Sequence, residues 1–135
     1  MEPNVAVEIA VRAISEGRMV LVADNPEREN EGDLVMAAEH IVTADMIFFL
    51  RHGSGIVCTP MSSAIADELG LEPMASSNTD NFGTAFTTSV DAVGTRTGIS
   101  AIDRTVTVRA PACVATPPSG LRRSGLRVSL RATAW

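Results

Sequence analysis

The sequence predicts a mixed α/β (α+β) fold, with helices covering a sheet. Three observations carry this. Segments with helical apolar spacing alternate with short apolar runs typical of strands. Gly, Pro or a Ser/Thr/Asn/Asp cap marks most of the boundaries between them. The chain has 135 residues, 45% hydrophobic and 20% charged, which suits a single modest core.

In order, residues 4–16 (NVAVEIAVRAISE) predict a helix, because Val7, Val11 and Ile14 recur at i, i+4 and i+7. Asn4 is placed to cap it and Gly17 to stop it. The run RMVLVA (18–23) reads as a buried strand. DNPERENEGD (24–33) leaves it as a loop, and GDLVMAAEH (32–40) resumes as a second strand. Thr43 is an N-cap candidate for the helix ADMIFFLRH, which ends at Gly53. GIVCTP (55–60) is another short strand. Ser62 or Ser63 caps the short helix AIADELG, closed by Gly70. ASSNTDNFG (75–83) is a polar loop. TAFTTSVDA (84–92) alternates as a half-buried strand, with Phe86, Thr88 and Val90 on one side. GTRTG (94–98) is a tight connection, and Ser100 with Asp103 makes an S-x-x-D box opening a helix at 101. The strand-like TVTV (105–108) pulls against that helix, but the cap signal is the more specific.

Bulk properties exclude several functions. A net charge of −5 argues against a nucleic-acid partner. The longest apolar runs, MVLVA and MIFFL, are core-sized, so no membrane partner is expected. The acidic N-terminus lacks a signal-peptide layout. Cys58 and Cys113 form neither a disulfide framework nor a zinc spacing. A cytoplasmic setting follows. Charge is unevenly spread: residues 1–110 hold all sixteen carboxylates and seven arginines, for −9, while 111–135 hold four arginines and no acid. This suggests a domain over 1–110 followed by a divergent Arg/Pro-rich tail over 111–135 without regular structure.

The acidic stretch bears the chemistry. Asp24, Glu27, Glu29, Glu31 and Asp33 crowd ten residues around a single cation, Arg28. If the segment is extended, the last four carboxylates share one face. Like charges so close stay solvated, hold a proton, or gather a cation. Mg²⁺ is bound through one or two carboxylates plus water and substrate oxygens. Arg28 can take a phosphate, and a carboxylate beside it can remove a proton next to a carbonyl. The alternative is a solvated acidic loop. Its place at the end of a strand favours a ligand site.

LVADNPERENEGDLVMAAE resembles the signature loop of 3,4-dihydroxy-2-butanone 4-phosphate synthases, enzymes of riboflavin biosynthesis. GIVCTP (55–60), GTAFTTSVDA (83–92) and TGISAIDR (97–104) match further family segments in order, so the resemblance spans residues 1–110. It implies a homodimeric lyase that makes dihydroxybutanone phosphate and formate from ribulose 5-phosphate with Mg²⁺ or Mn²⁺. It makes Glu29 the metal ligand of this loop and a substrate contact. Arg28 and Asp33 bind substrate, and Asp33 is also a proton-transfer candidate. Asp24, Glu27 and Glu31 shape the local field, and Glu31 joins Asp33 and Cys58 as a catalytic candidate. For Cys58, a small buried hydrophobe is the alternative. Thr97 precedes a helix N-terminus where a phosphate can rest, with capping chemistry as the alternative. Arg104 resembles a family arginine, or is an ordinary helix-surface one.

The family's P-G-H-V-F-P and R-x-G-H-T-E segments, the second carrying a metal-binding histidine, have no counterpart here; nor does a later catalytic glutamate. The histidines present, His40 and His52, lie outside such motifs and read as structural. Read one base later with four-fold degenerate codons, GLRRSGLRVSLRA (120–132) permits D-F-V-x-P-G-x-V-F-P-x-A, so the tail is expected to be out of frame. Two functions follow: the lyase, or an inactive fragment that binds a divalent metal or dimerises.

Overall fold

A computed structural model describes residues 3–27, 29–54, 56–125 and 128–132. The chain forms two compact units, residues 1–54 and 55–135. Among the described residues the strands form three separate two-stranded sheets, not one sheet covered by helices.

The first unit begins with helix α1, Pro3–Ser15. Gly17, at φ +77, ends it and donates its N–H to the Ile14 carbonyl. The left-handed conformation there is why a glycine stops this helix. The expected apolar stripe is turned differently: Ala13 is the buried residue, while Val7 and Val11 are each 61% exposed. Strand β1 (Val20–Ala23) pairs antiparallel with β2 (Gly32–Val35), with Ala23 opposite Gly32. β1 is not the buried strand expected, since Leu21 is 69% exposed. A two-stranded ribbon has one hydrogen-bonded neighbour and leaves much of its surface open. β2 stops at Val35, short of the expected residue 40, and residues 38–40 form a turn. Helix α2, Thr43–His52, runs as predicted, but Thr43 is its first residue and not its cap. The Asp45 carboxylate instead accepts the Val42 N–H at 2.9 Å. Among the described residues of this unit, Ala13, Ile41 and Met46 are the buried apolar ones.

In the second unit β3 covers Cys58–Ser62, shifted from the expected 55–60; Gly55 lies outside the described residues. The Ser62 hydroxyl accepts the Ile65 N–H at 3.3 Å and opens α3, Ser63–Glu68. Strand β4 is only Val90–Ala92, with a single bridge, Pro73 to Thr87, before it. The expected alternation fails: Thr87, Val90 and Ala92 are buried, while Phe86 and Thr88 are half-buried. Helix α4, Ala101–Arg109, forms despite TVTV, with the Ser100 hydroxyl accepting the Asp103 N–H at 3.0 Å.

The tail departs from its expected lack of regular structure. It carries 3₁₀ turns at Ala110–Ala112 and Pro118–Gly120. Strand β5 (Leu121–Arg123) pairs antiparallel with β4, and β6 (Val128–Ala132) pairs parallel with β3. Residues 126, 127 and 133–135 lie outside the described ones. The physical reason is burial: Leu121 is 3% exposed in one cluster with Met61, Ala66, Leu69, Leu71 and Val90. Arg123 adds a polar anchor, donating to the Leu69 and Gly70 carbonyls at the end of α3.

Candidate functional site

The acidic stretch is the tip of the β1–β2 hairpin. The ladder continues one step past the strands, with Asp24 N–H donating to the Glu31 carbonyl at 2.9 Å. Asp24 then folds the loop on itself. Its Oδ1 accepts the Asn25 N–H at 2.7 Å and its Oδ2 accepts the Glu29 N–H at 3.2 Å. Asn25 Oδ1 takes the Glu27 N–H at 2.9 Å. Asn30 sits at φ 54, a left-handed conformation that asparagine tolerates better than most residues.

The segment is therefore a folded loop, and the single extended face expected for Glu27, Glu29, Glu31 and Asp33 does not form. Side-chain-to-backbone bonding at Asp24 and Asn25 outcompetes an extended chain, as is common for Asp and Asn in turns. The arrangement also answers part of the like-charge problem. Asp24, half-buried, meets backbone N–H donors, while Glu27, Glu29, Glu31 and Asp33 are exposed to water. Asp24 is thus a structural residue of the loop, and Glu29 is tied to it through its own backbone. Arg28 lies outside the described residues.

The remaining candidates belong to the second unit. Cys58 opens β3, half-buried, with its thiol 3.7 Å from the Ile56 carbonyl. Neither cysteine is in a disulfide. Thr97 is exposed in the bend before α4, three residues ahead of the Ser100 cap. Arg104 Nε donates to the Ile99 carbonyl at 2.8 Å, which braces the start of that helix. The two histidines keep structural surroundings. His52 packs on Phe48 with ring centroids 4.3 Å apart, and His40 borders Gly17.

The donor chemistry of the loop, all carboxylate oxygen, suits a hard divalent cation. The donor count does not complete a site: among the described residues no group of three His, Cys, Asp or Glu side chains is gathered to hold a metal. No helix among them is long and apolar enough to cross a membrane. Two roles are not visible in the sequence. Asp24 holds the loop, and the Asp-x-x-x-x-Glu spacing gave no separate sign of it. Arg122 reaches Thr95 across 27 residues, a contact that no local pattern announces.

Fold and loop define a mixed α/β protein that presents clustered carboxylates at a hairpin tip. A family profile described as 3,4-dihydroxy-2-butanone 4-phosphate synthase matches residues 8–134, and the chain belongs to that family. The match runs past residue 110, where the resemblance was expected to end. The chain is 45% identical over 131 residues to the 3,4-dihydroxy-2-butanone 4-phosphate synthase of Edwardsiella ictaluri, covering 96% of this chain and 60% of that protein. It is 45% identical over 119 residues to the riboflavin biosynthesis protein RibBA of Bacillus subtilis, covering 88% of this chain and 30% of that one. A crystal structure of a 3,4-dihydroxy-2-butanone 4-phosphate synthase in complex with two magnesium ions superposes with a TM-score of 0.92 at 43% identity, covering 95% of this chain and 60% of that one. The chain thus spans about 60% of the length of these synthases.

Proposed function

We propose that this chain carries the first part of a carbon–carbon lyase that converts D-ribulose 5-phosphate to L-3,4-dihydroxy-2-butanone 4-phosphate and formate, in riboflavin biosynthesis in the cytoplasm. The observation that supports it most is the 45% identity across 131 residues to a 3,4-dihydroxy-2-butanone 4-phosphate synthase. The substrate is a ketose phosphate that must enolise, lose water, shift its carbon skeleton and release C4 as formate. Water lost early is taken up again when formate leaves.

Each step asks for proton transfer next to a carbonyl, which positioned carboxylates provide. Asp33 is the proposed proton-transfer group and a substrate contact, with Glu31 and Cys58 as further catalytic candidates. Arg28 would grip the sugar phosphate, since guanidinium pairs well with phosphate oxygens. Glu29 contacts substrate and is the ligand this loop offers to Mg²⁺ or Mn²⁺. When bound, such an ion stabilises developing enediolate charge. Thr97 is the proposed phosphate contact of the second unit. A homodimer is proposed as well, because it offers cover for side chains such as Leu21, Val7 and Val11.

A second reading is an inactive fragment that at most binds a divalent metal or dimerises. The missing three-donor group among the described residues and the 60% span favour it. Formate release from ribulose 5-phosphate with Mg²⁺ separates the two. It is measured on this chain and on one extended by the remaining length of its relatives. Robust turnover by the 135-residue chain removes the fragment reading; no turnover by the extended chain removes the lyase. In the extended chain, Glu29→Gln is expected to lower turnover on the order of a hundredfold, the scale of losing one charge-stabilising group. Intact activity would take the metal-ligand role from Glu29.

A further inference from the structure

The connection 94–98 meets the β4–β5 pair at both ends, bonded at Thr95 and closely packed at Gly98. In that register Asp91 stands opposite Arg122. The Arg122 Nη2 donates to the Thr95 carbonyl at 2.5 Å and lies 3.3 Å from the Thr95 hydroxyl. Thr95 is 7% exposed, and its hydroxyl donates to the Ala92 carbonyl at 2.7 Å. At the other end, Gly98 has φ +73, and the Asp91 carboxylate occupies the space a Cβ would need, 2.5 Å away. Between these two residues stand Arg96 and Thr97, both exposed, and the Ser100 cap of α4 follows. The Arg122 side chain is itself exposed, so it fixes the connection without being part of the core.

We propose that Arg122 is a positioning residue. By fixing Thr95, it sets where the Thr97 hydroxyl is presented ahead of the α4 N-terminus, and so sets affinity for the phosphate end of a sugar phosphate. This rests on the reading of Thr97 as a substrate contact. A charge-assisted bond to a carbonyl is well suited to the task, being stronger than a neutral one. Its partner lies 27 residues away, so it couples the connection to β5 and not to its own neighbours.

The test uses the full 135-residue chain with R122Q, R122K and T97A. Two quantities are read: ¹⁵N relaxation at the Thr97 and Gly98 amides, and the Kd for ribulose 5-phosphate by calorimetry. R122Q is expected to loosen both amides and weaken binding about tenfold, with the chain still unfolding in one cooperative transition. R122K keeps the charge and recovers part of both effects. T97A weakens binding and leaves the amides ordered. Unchanged amide order in R122Q overturns the clamp. Loosened amides with an unchanged Kd, while T97A weakens binding, overturn the positioning role. If T97A leaves the Kd unchanged, the substrate reading of Thr97 fails and the role in affinity fails with it; a wild-type chain that does not bind overturns the role of Arg122 in affinity and leaves the reading of Thr97 to the extended chain. The clamp is then judged on amide order alone.

Discussion

Thr107 shows how one side chain settles the fate of a segment. Its hydroxyl accepts the Ala92 N–H at 3.0 Å, and both residues are buried. Thr105 donates to the Ala101 carbonyl one turn earlier, at 2.8 Å. The threonines that make TVTV look like a strand are thus spent inside a helix, one on its own backbone and one on β4. Thr107→Val keeps the shape and leaves a buried amide without its acceptor, which is expected to cost about 1–3 kcal/mol. Urea unfolding of the two chains measures it, and equal midpoints and slopes would show that the bond contributes nothing. The Ser100 cap was legible because its partner is three residues away. The use of Thr107 was not, because its partner is fifteen residues away. Asp24 follows the same logic at the candidate site. The charges of the loop were evident from sequence, but which carboxylate would turn inward to the backbone depended on how the chain folded there.

Among the elements, the helices were the legible part. α1 and α2 lie within a residue of their expected bounds and α4 starts at the expected residue 101, since caps and stops act over one turn. Strands were less legible because pairing decides their ends. β4 is three residues long where nine were expected, and its partner β5 lies in the tail where no strand was expected. The loop before β4 has a device of its own. Asp80 accepts the N–H groups of Thr84 at 2.9 Å and Phe82 at 3.1 Å, while Asn78 takes the Asp80 N–H at 2.9 Å. The bonds from Thr84 first, and those from Phe82 and Gly83 after them, hold the Asp80 carboxyl below its ordinary value. A carboxylate lowered on folding stabilises at pH above its ordinary range, and that contribution is lost as pH falls through the lowered value. Acid titration followed by NMR should therefore move the Phe82 and Thr84 amides together, at a pH below that of an unperturbed aspartate. An Asp80→Asn chain should show no such step. If the Thr84 amide moved equally in both chains, Asp80 would not be its cause.

At the scale of the molecule, the open question is what covers the apolar surface. Each unit keeps several large apolar side chains in water, among them Leu21 at 69% and Ile102 at 64% exposed. On α4 the pattern is inverted, with Ile102 and Val106 outside and Thr105 and Thr107 within. The dimer proposal makes this measurable. Sedimentation across a range of concentrations should show a monomer–dimer equilibrium, and a monomer throughout would remove the proposal. The pairing of β3 with β6 has a different consequence, one of timing. Cys58 stands opposite Val128, a separation of 70 residues. Protein synthesis proceeds at roughly 5–20 residues per second. On a ribosome, β3 is therefore made several seconds before the strand it will bond to, and its open edge must stay out of other company until then. The β3–β6 sheet can form only after residues 128–132 have been added, so β6 governs when this part of the unit closes as well as what closes it.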